Sequence, residues 1–272
     1  MQWRLIELKE LKYYLKLYRL FFTQYIKTKV QYRVDTFVSC FAMALVCISG
    51  MFTYWIVFNS IHDLGGLSYY EVMFMYSLYL IIISPASIML NNLWNLKNHI
   101  LEGTFVKYML RPINSLFYFV SEIIDIRGFV NLFIGIICLG YAITKVNIHW
   151  TASSIIILIS MCLSGACIVC ALTLLGASSS FYIMNAHFVN MFVNKIIDFA
   201  KYPLSIYNTV VQIIFTVIVP IGFAAFYPTE YVLNIGSCKI IYALAPVVAI
   251  IFMVLSYLAW ESGMKRYSGT GS

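Results

Sequence analysis

The chain has 272 residues, of which 62% are apolar and only 11% charged, with a formal net charge of +7. Soluble domains run at about 45–50% apolar and about 25% charged, so a water-soluble fold of this size lacks the polar surface to cover its apolar residues, and the excess must face lipid. The apolar residues lie in unbroken blocks rather than in alternating stretches of about ten residues, which also excludes a membrane β-barrel; the positive charge is then a question of which loops hold it rather than a sign of nucleic acid.

In chain order, residues 1–35 carry eight Lys or Arg before the first long apolar block begins near Thr36. That order is unlike a secretory signal and predicts a cytoplasmic segment followed by a retained span. Within it, residues 3–30 read as one amphipathic helix. Lys9, Lys12, Lys16 and Arg19 make a basic stripe, with Leu11, Tyr14, Leu15, Tyr18, Phe22 and Tyr25 opposite. Such a helix is drawn to lie along an anionic leaflet.

A helical span needs about 20 mostly apolar residues. Stretches poor in Asp, Glu, Lys and Arg predict spans at about 36–58, 72–93, 116–143, 151–175, 209–226 and 240–260, with Trp55, Trp94, Trp150, Tyr227 and Trp260 near the ends, where interfaces favour such rings. Residues 178–206 read differently. His187, Asn190, Asn194, Asp198 and Lys201 recur on one face, and Phe181, Met184, Phe188, Phe192 and Ile196 on the other. The pattern predicts an amphipathic segment suited to an interface or a polar cavity. With six spans, all Lys and Arg except Lys145 and Lys239 fall on one side, and the positive-inside rule puts both termini in the cytoplasm. The expectation is an all-α membrane protein of six transmembrane helices, with an N-terminal cytoplasmic helix and a cytoplasmic tail at 261–272.

Between the second and third predicted spans lies a long cytoplasmic loop, 91–112, in which Gly103 permits a break and Pro112 forces Arg111 out of helical geometry. The sequence Ile100-Leu-Glu-Gly-Thr-Phe-x-x-Tyr-x-Leu-Arg-Pro-Ile-Asn114 resembles the corresponding loop of ABC-2-type transporter permeases. Tyr202-Pro-Leu-Ser-Ile-Tyr207, the stretch Val219-Pro-Ile-Gly-Phe223 with Tyr227-Pro228, and the ending from Trp260 to Ser272 are similar to the same family in the same order. Lys107 departs from the pattern, which has an acidic residue there in many relatives.

The resemblance implies a permease subunit of an ATP-binding-cassette transporter, exporting a hydrophobic or amphiphilic compound or peptide across a bacterial cell membrane. It implies a separate nucleotide-binding ATPase that holds ATP and Mg, and a second permease chain, homologous or identical, with no cofactor in this one. In agreement, the sequence has no G-x-x-x-x-G-K-[ST] phosphate loop. Glu102, Gly103, Thr104, Arg111 and Pro112 are the implied ATPase contact. Glu122, Asp125 and Arg127, at the start of the third helix, form a candidate gating network, since ionisable groups at the membrane are functional candidates. The link Tyr227–Lys239, with Pro228 and Gly236, is a candidate external gate.

Other chemistry is weakly supported. His62, His99, His149 and His187 are scattered, and the acidic residues form no metal pattern, which argues against an enzyme. The seven cysteines are odd in number and mostly inside apolar blocks, where they read as packing residues, the Cys167-x-x-Cys170 pair included. An ion-coupled secondary transporter or channel subunit is the alternative; it calls for internal repeats and acids at span centres, and neither is visible in the sequence.

Overall fold

The computed structural model describes residues 2–148, 150–183, 186–236 and 239–267, with side chains from residue 12 onward apart from Lys239. His149, Met184, Cys238 and the last five residues of the tail lie outside the described residues, as do the side chains of Lys9 and Leu11. The described chain is helical, and its one β feature is a bridge between Leu64 and Leu67.

Helix α1 (Gln2–Gln31) leads into α2 (Arg33–Phe58), and a short turn through 59–68 returns the chain as α3 (Tyr69–Met89). A capping box starts α3: the Ser68 N–H donates to the Glu71 carboxylate at 2.7 Å. Short helices α4 (Leu96–Leu101), α5 (Val106–Met109) and α6 (Ser115–Glu122) precede α7 (Ile126–Ile143) and α8 (Ala152–Ser178). Then come α9 (Ala186–Asp198), α10 (Thr209–Ile213), α11 (Phe226–Leu233) and α12 (Lys239–Arg266). Helices α2, α3, α7, α8 (continued to Phe181) and α12 are long and apolar enough to cross a membrane; α3 is the most buried of them and α2 the least.

Close approach of backbones holds the bundle together, as expected where lipid removes most of the hydrophobic drive between helices. On α7, a Cβ at Gly128 would sit 2.8 Å from the Ile88 nitrogen, and one at Gly135 would sit 3.1 Å from the Ser77 carbonyl. Between these glycines the buried Asn131 accepts from the Cys47 thiol at 3.2 Å, which ties α7 to α2.

Three regions differ from the sequence expectation in shape. First, the stretch 116–143 is two helices, because Ile123 is extended and the Asp125 N–H donates to the Ile88 carbonyl at 3.0 Å instead of continuing the helix. Second, the stretch 209–226 is not one helix. A π-turn over Ile214–Ile218 follows α10, Val219 leaves helical geometry ahead of Pro220, and the chain reverses. The reversal brings Thr216 and Tyr227 hydroxyls to 2.5 Å and seats Phe223 and Ala224 against Gly165, midway along α8.

Third, the stretch from α9 to residue 206 runs the length of the bundle. His187 packs edge-on to Trp94 at one end, 6.3 Å between centroids. At the other end the Ser205 hydroxyl donates to the Gly65 carbonyl at 2.7 Å. Between them the Tyr54 hydroxyl holds the Lys201 carbonyl at 2.7 Å. We term the end with Trp94 and the C-terminus of α12 the base, and the end with loop 59–68 the crown.

Helix α1 lays Tyr14 and Phe21 against Phe117 and Tyr118 of α6, with centroids 4.8 and 5.7 Å apart. Lys12, Lys16 and Arg19 are exposed, and so is Leu15, whereas Phe21 joins the rings of α6.

Candidate functional site

At the base, the segment after α3 is folded onto the bundle by its own apolar residues. Asn92, fully buried, donates to the Phe119 carbonyl at 2.6 Å and accepts from Asn95 at 3.1 Å. Helix α4 ends at Gly103, whose φ of +69° favours glycine. The Phe105 N–H then reaches back to the His99 carbonyl at 3.0 Å. His99 Nδ1 and the Thr104 hydroxyl share a 2.8 Å hydrogen bond. Burial, helped by the charge of Lys107, lowers the His99 pKa from its ordinary 6.5, so the imidazole is held neutral there.

This turn drives Phe105 and Tyr108 inward. The Phe105 ring meets Phe181 at 5.3 Å and Trp260 at 5.9 Å, and Tyr108 meets Phe119 at 4.8 Å. With Leu93, Leu96 and Ala177 these rings form an apolar cluster separate from the main core. Segment 91–110, α6, the end of α8 and the end of α12 are thus one packed body. Its outer surface is Leu101, Glu102, Thr104, Met109, Leu110, Arg111 and Pro112. Leu110 is 79% exposed. The Arg111 guanidinium lies over the Tyr118 ring, 4.8 Å from its centroid.

The structure gathers Glu102, Thr104, Arg111 and Pro112 on that surface, with Gly103 half-buried as the turn between them. Leu101 and Leu110, positions of the family motif that were not among the implied contacts, join them, as does Met109. Of Glu122, Asp125 and Arg127, the last two pair with each other and Glu122 has partners of its own. Glu122 pairs with Lys107 at 3.1 Å and takes a short hydrogen bond from the Tyr108 hydroxyl, which clasps α5 to α6. Burial and then that bond push the Tyr108 hydroxyl well above its ordinary pKa, so it stays a donor. Asp125 caps α7 through the Arg127 N–H at 2.9 Å and pairs with the Arg127 guanidinium at 2.6 Å.

A cavity of about 450 Å³ lies between α2, α3, α7, α8 and α9, from Asn91 and Trp94 at the base to Thr53 and Lys201 toward the crown. Its walls mix Leu80, Ile83, Val169 and Ile197 with Tyr76, Tyr79, Asn131, Thr173, Asn194 and Asp198. Asn190 and Asn194 are joined at 2.8 Å, and the Tyr79 hydroxyl donates to Asp198 at 3.1 Å. Of the polar face seen in the sequence, Asn194, Asp198 and Lys201 line this cavity, and Asp198 stands against the middle of α3. The link after Tyr227 forms α11, packed on α3, α8 and α12. The described cysteines are all free, and no cluster of metal-ligating residues occurs among the described residues.

A helical membrane bundle with a rigid base body and a polar internal cavity has the architecture of a transport permease. Residues 44–271 match the family described as ABC-2 family transporter protein, and the chain belongs to that family. No curated protein and no solved structure matches it.

Proposed function

We propose that this permease is the membrane subunit of an ATP-driven exporter whose energy comes from a separate nucleotide-binding ATPase. A second permease chain completes the assembly, and the cargo is a hydrophobic or amphiphilic compound or peptide. The base faces the cytoplasm. Stretch 186–206 makes the fifth of six crossings, and 209–233 dips in from the crown and returns. Both termini then stay on the cytoplasmic side with most of the lysines and arginines, in keeping with the positive-inside rule, while Lys195 and Lys201 fall within the fifth crossing.

The observation that carries this reading is the exposed Leu101–Pro112 surface on a body that packing makes rigid. A push there by an ATPase moves α6 and the ends of α8 and α12 together, because Phe105 and Tyr108 are keyed into Trp260 and Phe119. The extended link at 123–125 joins that body to α7 and is the natural hinge. ATP and Mg stay on the partner, and this chain contributes the docking surface and the lever.

An ion-coupled transporter is favoured by one observation, the Asp198 carboxylate halfway along the bundle. Family membership weighs against it. Purified from its own membranes, the full chain is expected to bring an ATP-hydrolysing subunit with it, and Glu102→Arg combined with Arg111→Glu to lose that subunit. Recovery of the native chain without any such subunit argues for the ion-coupled reading.

A further inference from the structure

The cavity has a chemistry that the docking surface does not explain. Its volume of about 450 Å³ is in the range of sites for drug-sized ligands, roughly 300–1,000 Å³. Its wall includes the apolar Leu80, Ile83, Val169 and Ile197. The same helices bring Asp198 and the rings of Tyr76 and Tyr79 to it, the two rings stacked with centroids 6.0 Å apart.

The charges lining this space are not equivalent. Arg127 is neutralised by Asp125 at 2.6 Å. Lys201 lies over the Tyr202 ring, 5.3 Å from its centroid. Asp198 is held in place by the Tyr79 hydroxyl, which donates to it at 3.1 Å. Its nearest cation, Lys195, stands at 3.8 Å on a side chain that is 75% exposed, while the Asp198 side chain is itself 47% exposed. That distance is beyond hydrogen-bond reach, so the pair leaves part of the carboxylate open to the cavity. A carboxylate inside a bundle, held by a tyrosine hydroxyl, is a receptor for a positive charge.

We propose that this cavity binds amphiphilic cations, the positive group held by Asp198 with Tyr76 and Tyr79 and the apolar body lying along Leu80, Ile83 and Val169. The assignment deepens the exporter reading by naming a cargo class, and it rests on that reading for the transport step after binding. Binding itself needs no ATPase.

The test uses the full chain with any copurified partners in lipid nanodiscs, without ATP. The probes are tetraphenylphosphonium and tetraphenylborate, ions of like size and opposite charge, each measured in excess over empty discs. Saturable binding of the cation is expected, weakened at least tenfold by Asp198→Asn and retained by Asp198→Glu. Ser49→Phe, which fills the cavity from α2 and leaves Asp198 intact, is expected to weaken it as well. Equal binding of both ions, or cation binding indifferent to Asp198→Asn and Ser49→Phe, overturns the proposal. A chain that binds the cation but carries no ATPase keeps this site and loses the exporter reading; one that carries an ATPase but binds no cation does the reverse.

Discussion

The base body and the cavity wall are built from the same kinds of residue and behave oppositely. At the base, aromatic rings at 91–120 and Trp260 meet in edge-to-face and tilted contacts, and Asn92 and Tyr108 are spent on fixed partners, while the buried Trp260 Nε1 has none among the described residues. Along the cavity, tyrosines, asparagines and a carboxylate surround open volume, and Asp198 keeps an accessible charge. A close-packed interior transmits displacement, whereas a half-filled polar space binds what enters it. On the proposed reading the contrast separates a lever from a receptor.

The contrast is sharpest where packing is removed from the lever. Phe105→Ala takes a fully buried ring out of the base and is expected to cost about 3–5 kcal/mol, the range for large aromatic deletions. Thermal unfolding of the full chain in nanodiscs reads this. A change within error means that the base is not one packed body.

A smaller effect is expected beside the cavity. Gly165 on α8 receives the reversal at Phe223, and a Cβ there would stand 2.7 Å from the Phe223 carbonyl. Gly165→Ala is expected to cost about 1–3 kcal/mol as an overpacking change. Because the obstacle is backbone and not a movable side chain, the reversed segment has to shift. Unaltered stability together with unaltered protease accessibility at 209–233 contradicts the seating of that segment on α8.

The helical membrane class was legible in composition, and the family in three short motifs, because both depend on residues close together in the chain. The apolar stretches 36–58 and 240–260 coincide with helices Arg33–Phe58 and Lys239–Arg266 for the same reason. The rest depended on distance in sequence. A polar helix face looks alike whether it meets bulk water, a headgroup layer or an internal cavity, so Asn190, Asn194 and Asp198 announced a surface without saying which.

The reversal at Pro220 was hidden by its apolar neighbours, since hydropathy does not record direction. Glu122 was visible as an ionisable group near the membrane, yet its partners Lys107 and Tyr108 lie fifteen and fourteen residues earlier, beyond any helical repeat. Tyr79 and Asp198, 119 residues apart, meet because the turn 199–201 that follows α9 packs on α3.

The claim on which the account turns is that the Leu101–Pro112 surface is gripped by an ATP-hydrolysing subunit. A photo-cross-linking amino acid placed at Leu110, compared with one at the lipid-facing position Ile136, tests it directly in intact membranes. The account predicts an adduct with an ATP-binding chain from position 110 and none from position 136. No adduct from 110, or labelling of that position by an impermeant reagent outside the cell, contradicts it.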